Sequence, residues 1–252
     1  MFNKKFAVLI LSLFALTACN KSVRPTNQDE KPEVKLSYSV KSCIKKAYGQ
    51  DALQNLEQVT KLYCGKQRLT SLAWVEHLPN LETLSVQSNR LVDLSTLSAA
   101  PKLLSINIAD NKKLVSLDGL ENAPLLTEIH CSGCTALTNI NAVANNKALK
   151  RFSMIRGGLN DISALSELDN LEDLNFFANQ IQNVEALANK PSLKHLVLAH
   201  NPIQDFSPLY SNTHLDSVTI GSNTKAHCQA LDELSRVLKE GAQVGYFDIC
   251  YR

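Results

Sequence analysis

The sequence predicts an α/β solenoid. A curved parallel β-sheet lines the concave face, short 3₁₀ or extended returns line the convex side, a helical cap closes the N-terminal end, and a helix followed by a strand closes the C-terminal end. Three observations predict it. Units opening at Val59, Leu81, Leu103, Leu126, Leu149, Leu171, Leu193 and Leu215 recur at steps of 22 or 23 residues. Each unit is apolar at the same slots: Leu81, Leu84, Val86, Leu91, Leu94 and Leu97 are matched by Leu171, Leu174, Phe176, Ile181, Val184 and Leu187. The eighth residue after the opening one is asparagine in five units, at Asn89, Asn111, Asn179, Asn201 and Asn223.

Within a unit the L-x-L step alternates, as a strand with one buried face requires. One such strand cannot hide its leucines alone. Stacking the units about 4.8 Å apart joins the strands into a parallel sheet and the leucines into a continuous core. The asparagine falls where the chain turns inward, and its amide can satisfy backbone groups stranded by the turn. Asp93, Asp161 and Asp205 precede Ser95, Ser163 and Ser207 by two residues. Such side chains bond nearby backbone and favour turns, so short returns are expected there. Pro79, Pro101, Pro124 and Pro191 come shortly before the next strand and help end the return.

The pattern L-x-x-L-x-L-x-x-N/C-x-L at this period resembles the leucine-rich repeat. The short N-x-[LI]-x-[DN]-[LIVF]-x-x-L unit is similar to the internalin type of bacterial leucine-rich repeat, from Val59 to about Asn223. The resemblance implies a binding frame without naming its ligand. Three units depart from the ladder: Gln67, Cys134 and Gly157 stand in the asparagine slot. Gly157, followed by Gly158, is expected to loosen or kink the arc. One extra residue at Lys112-Lys113 and at Thr135-Ala136 is expected to bulge outward.

The flanks divide the rest of the chain. Met1 to Lys5 is basic and Phe6 to Ala15 is almost wholly apolar, too short to span a bilayer, so residues 1–18 read as an export signal. "LTAC", Leu16 to Cys19, resembles the bacterial lipoprotein cleavage box. That resemblance implies that Cys19 is acylated and that the mature chain is tethered to the envelope. Asn20 after the cysteine implies the outer membrane, on a face left open. Residues 19–40 are polar and expected to form a disordered tether. Residues 41–58 form the N-terminal cap, with Ile44, Ala47, Leu53 and Leu56 at helical spacing. Residues 59–225 hold the repeats, and residues 226–252 the C-terminal cap: a helix over Ala230 to Glu240 stopped by Gly241, then a strand from Val244.

Seven cysteines less Cys19 leave an even number in an exported chain. Pairing Cys43 with Cys64, and Cys228 with Cys250, would staple each cap to its terminus. A closed loop of about twenty residues is worth roughly 3 kcal/mol in the chain-entropy model. Cys131 and Cys134 in "HCSGC" occupy an inward strand slot and a ladder slot, and form a buried pair, bonded or reduced. His130 points to the opposite face and cannot join them on a metal.

Lys and Arg total 26 against 24 Asp and Glu, and removal of Lys4 and Lys5 leaves the mature chain near neutral. Neither this balance nor a basic run supports nucleic-acid binding. No nucleophile elbow, phosphate-binding glycine loop or H-E-x-x-H occurs, and Asp173, His195 and Ser153 on an open sheet lack a water-excluding pocket. A non-enzymatic monomer without cofactor or metal is expected. The slots free for function point outward from the sheet. Ile155, Phe177 and Val197 are the apolar exceptions there, with Arg151, Arg156, Asp173, His195 and His200 around them. An apolar and aromatic centre rimmed by Arg, Asp and His suits a protein partner or a surface polymer. A structural or assembly factor of the envelope is the other class consistent with the pattern.

Overall fold

A computed structural model describes residues 35–221 and 225–245. Nine strands form one parallel sheet in chain order: β1 (Lys61–Tyr63), β2 (Thr83–Ser85), β3 (Ser105–Asn107), β4 (Glu128–His130), β5 (Arg151–Ser153), β6 (Asp173–Asn175), β7 (His195–Val197), β8 (Ser217–Thr219) and β9 (Gln243–Gly245). The register never slips. Leu62, Leu84, Ile106, Ile129, Phe152, Leu174, Leu196, Val218 and Val244 stand side by side as the central residues. Those of β1 to β8 are buried, so each leucine slot of the repeat becomes a rung of one core. Short 3₁₀ turns, among them Ser95–Ala99, Ser163–Leu165 and Ser207–Ser211, run along the opposite side. Each of these three is opened by its aspartate, whose Oδ1 accepts the serine N–H at 3.2, 2.9 and 2.8 Å.

The asparagines tie neighbouring units together. Asn89 Oδ1 accepts the N–H groups of Gln67 and Leu69, both at 2.9 Å, and its Nδ2 donates to the carbonyls of Cys64 and Val86. Asn111, Asn179 and Asn201 do the same in the third, sixth and seventh units, each accepting an N–H of the preceding unit and donating to one carbonyl there and one in its own unit. Asn223 lies outside the described residues. At Gly157 the register of the sheet is kept. Met154 fills the slot, so that a Cβ on Gly157 would stand 2.4 Å from Met154 Cε, and β4, β5 and β6 pair without a break. Each extra residue closes a turn: Leu114 donates to Asn111 O at 3.0 Å and Leu137 to Cys134 O at 3.1 Å, turning Lys112 and Lys113 out to solvent.

A second inward slot, without a signature in the sequence pattern, lies on the return side. Asn146, Lys190 and Asn212 occupy it, all nearly inaccessible. Asn146 donates to the carbonyls of Leu120 and Ala123, Asn212 to that of Leu187, and Lys190 Nζ to that of Ser166. Burial lowers the Lys190 pKa. A lysine between an asparagine and a proline reads as surface. Only stacking shows that its four methylenes line the core while the amine reaches a carbonyl.

Both caps begin earlier than the sequence suggests. Helix α1 spans Tyr38–Tyr48, with Ser37 as N-cap accepting from Val40 N–H at 3.4 Å. The tether boundary at residue 40 therefore falls inside the helix. Leu36 and Val40 share the buried side with Cys43 and Ile44, whereas Ala47, expected inside, is exposed and Ala52 is buried. The helix closes the free edge of the sheet. Tyr48 Oη accepts from Thr60 and Lys61 N–H and donates to Lys61 O at 2.9 Å, covering backbone groups that would otherwise invite another strand. Cys43 and Cys64 are joined by a disulfide with Cα atoms 5.5 Å apart. Helix α2 spans Lys225–Val237, five residues ahead of the expected start, and buries Ala230, Leu231 and Leu234. The closing strand β9 starts at Gln243 and pairs parallel with β8.

Candidate functional site

Each strand leaves three side chains on the outward face: its first residue, its third, and the residue two places beyond. These make three columns running across the sheet. The chain then turns through a left-handed residue before the ladder slot, at Lys66, Ser88, Asp110, Arg156, Ala178 and His200, with φ of 54 to 60°. Gly133 takes this position in the fourth unit at φ 73°, where a Cβ would meet Asp110 Oδ1 at 2.5 Å. The glycine of "HCSGC" thus leaves room for the Asp110 carboxylate at a corner that other units fill with larger residues. Cys131 and Cys134, which flank this corner residue, are bonded to each other and fully buried. Cys228 is disulfide-bonded, and its expected partner Cys250 lies outside the described residues.

The eight candidate residues all reach the outward side, but as two groups rather than one. Ile155 and Phe177 stand in the third column, half-buried, with Arg156 and His200 exposed at the corners beside them. The Phe177 ring meets His200 edge-on at a centroid distance of 4.9 Å. Val197 lies in the middle column, half-buried between Asn175 and Thr219. Ala199, which continues the third column past Phe177, is fully buried. Arg151, Asp173 and His195 occupy the first column, four residues and thus about 13 Å from the Phe177 group.

That first column is an ionic ladder. Glu128, Arg151, Asp173, His195 and Ser217 are direct cross-strand partners. Arg151 donates to Glu128 through Nε at 3.1 Å and Nη2 at 3.3 Å, and His130 Nε2 lies 2.9 Å from the same carboxylate. The Arg151 hydrogen bond, reinforced by His130, outweighs partial burial and holds the Glu128 pKa down at about 2. His195 stands between Asp173, at 3.7 Å, and Ser217 Oγ, at 2.9 Å. Asp, His and Ser in a row suggest acyl transfer, but the backbone N–H groups of Asp216 and Ser217 are both spent on Lys194 O. Neither of these two groups is free to meet a developing oxyanion.

A second ladder runs one residue earlier along each strand. Lys150 meets Glu172 at 2.9 Å, Lys194 approaches the same carboxylate at 3.7 Å, and Lys239 pairs with Asp216. Its signal is present in the sequence: Lys150-Arg151, Glu172-Asp173, Lys194-His195 and Asp216-Ser217 alternate in sign at 22-residue steps. Among the described residues, no group of three or more His, Cys, Asp or Glu side chains is placed to hold a metal ion. Nor is any helix there long and apolar enough to cross a membrane.

No protein-family model matches the chain. Internalin I from two Listeria monocytogenes strains is 45% and 43% identical to it over 58 residues, a stretch that is 23% of this chain and 3% of internalin I. The internalin InlF of L. monocytogenes superposes with a TM-score of 0.60 at 24% identity, over 86% of this chain and 72% of that one. Internalin C2 of the same species gives 0.53 at 21% identity, over 73% and 93%. The chain is similar to the internalins. A leucine-rich-repeat protein of Leptospira interrogans gives 0.50 at 18% identity, over 79% and 68%. At these identities the structural likeness is one of fold, and it establishes the internalin-like solenoid of parallel strands and short 3₁₀ returns.

Proposed function

We propose that this chain is an exported lipoprotein, acylated at Cys19 and held at the outer membrane, whose internalin-like sheet binds a protein partner across its outward face. One observation carries the reading. Among the outward slots of β4 to β8, which apart from Val197 are otherwise small, polar or charged, Ile155 and Phe177 present apolar surface beside Arg156 and His200, while the exposed Tyr63 ring lies apart on β1. Aromatic, aliphatic and Arg side chains in one place are the composition of a binding centre. The sheet behind them is built before the partner arrives, so few degrees of freedom are lost on association. The charge ladder of Arg151, Asp173 and His195 then forms a polar border, with Val197 between the two groups.

The test is capture from an envelope fraction by cross-linking, using residues 20–252 as bait. A partner held by this face is expected to be lost from the Ile155→Ser/Phe177→Ser double variant, with affinity falling at least tenfold. Retention of the partner by the double variant removes this face from the reading. Protease-resistant capture of purified wall material instead would favour a surface-polymer ligand. Radiolabelled acyl incorporation that survives Cys19→Ala would remove the anchor.

A further inference from the structure

The near-neutral total hides a separation of charge. Residues 35–70 hold seven Lys or Arg against two Asp or Glu, whereas residues 71–245 hold thirteen against eighteen. The N-terminal end of the solenoid thus carries net +5 and the rest net −5, His apart. None of the seven cations forms an ion pair among the described residues, although several of those further along the sheet do.

Helix α1 holds three of them, Lys41, Lys45 and Lys46, and no acidic residue. At 100° per residue these lysines share one arc with Tyr38, opposite buried Val40, Cys43 and Ile44. Lys45 and Lys46 are exposed, Lys41 is half-buried and Tyr38 is 89% exposed. At the start of the same helix an open groove of about 420 Å³ is bordered by Lys35, Arg68 and Trp74. Arg68 is held at φ 58° there because Asn89 Oδ1 takes the N–H groups of both its neighbours. One end of the molecule therefore combines unpaired cations with amphipathic aromatic rings. An anionic phospholipid surface selects this pairing: phosphates attract the cations, and Tyr and Trp settle at headgroup depth.

We propose that the outer face of α1, with Lys35 and Arg68 beside it, docks on anionic phospholipid headgroups. The position in the chain suits this. Cys19 precedes Lys35 by sixteen residues, at most about 55 Å of chain, so a lipid there would keep this end at the membrane. Ile155 and Phe177 lie four and five strands from β1, roughly 20 to 25 Å away, clear of the headgroups. The docking surface stands apart from the proposed partner face, and it requires no acylation.

The experiment is sedimentation of residues 20–252, which retain every described element and lack Cys19, with vesicles. Vesicles of phosphatidylcholine mixed with phosphatidylglycerol are compared with phosphatidylcholine alone. At low salt the expected preference for the mixed vesicles is about tenfold or more, fading as salt rises. Lys45→Gln is expected to lose about fivefold. Lys41→Glu/Lys45→Glu/Lys46→Glu is expected to abolish the preference, and Tyr38→Ala to weaken it several-fold. Lys112→Glu/Lys113→Glu, which changes charge on an exposed turn of the third unit, outside the α1 face and the groove, should bind like the parent, as should Ile155→Ser/Phe177→Ser. Equal binding to both vesicle types overturns the proposal. So does an undiminished Lys45→Gln or triple variant, or an equal loss from Lys112→Glu/Lys113→Glu. Capture of a soluble anionic polysaccharide with vesicles left unbound reassigns the surface to a polymer and also overturns it.

Discussion

The basic end, residues 35–70, and the sheet from β4 to β8 are both rich in charge and use it in opposite ways. From β4 onward each charged side chain of the two ladders faces one of opposite sign, one unit away, across a strand spacing. At the basic end cations stand on a helix face and around a groove, and none forms an ion pair among the described residues. Paired charges reinforce register and leave little field outside the molecule. Unpaired charges of one sign add little to the fold, Lys45 and Lys46 only by facing the C-terminal end of α1, and leave a field that a partner of opposite charge can use. What holds the basic end together is accordingly not electrostatic. It is the Cys43–Cys64 bond, the Tyr48 clasp on the edge of β1, and the burial of Val40 and Ile44.

If so, the largest effect should come from opening that bond. Cys43→Ser/Cys64→Ser is expected to cost about 3 kcal/mol in urea unfolding, the loop-closure value for residues 21 apart. A loss below about 1 kcal/mol would mean that packing alone secures the cap. A smaller effect should mark the paired region. Glu128 has its pKa held at about 2 by Arg151 and His130. A carboxylate depressed in this way stabilises the fold fully above about pH 4.5, its unfolded value, and loses that contribution as pH falls toward 2. Partial exposure and solvent screening keep it to about 1 kcal/mol. Glu128→Gln should therefore be less stable at pH 7 by that amount, and its stability should vary less than the parent's between pH 4.5 and 2. The smallest effect should fall on the basic end itself. Lys41→Gln/Lys45→Gln/Lys46→Gln is expected to leave Tm within about 2 °C, measured by circular dichroism. A clear rise would show that like-charge repulsion strains the cap, and a clear fall would reveal a pairing that the structure does not contain.

Much of the fold was legible because stacking repeats one set of steric demands at a fixed step. Leu84, Ile106, Ile129 and Phe152 are interchangeable answers to one slot, so their spacing declares the strand, the ladder and the turn together. The start of α1 was harder to read, because "KLSYSV" is mostly polar and only Leu36 and Val40 betray its buried side. The candidate site was legible as a set of outward residues and not as an arrangement. Sequence places Arg151 and Ile155 four residues apart, but says nothing of whether they share a patch. Ladder pairing gives Arg151 to Glu128 and leaves Ile155 with Phe177. The alternating charges at 22-residue steps and the basic run of residues 35–70 were readable all along, and a whole-chain total near zero concealed both.

By itself the sequence determined the repeat, the single parallel sheet and the faces on which its side chains lie, because a short half-apolar strand has no stable alternative to stacking on its neighbours. Only the tertiary structure decided what the exceptional residues do. Met154 fills the space beside Gly157, Lys190 threads its chain through the core to Ser166 O, and Cys131 closes on Cys134. Such outcomes depend on which atoms from adjacent units meet within bonding distance. That is settled by packing in three dimensions, where residues some twenty positions apart become nearest neighbours.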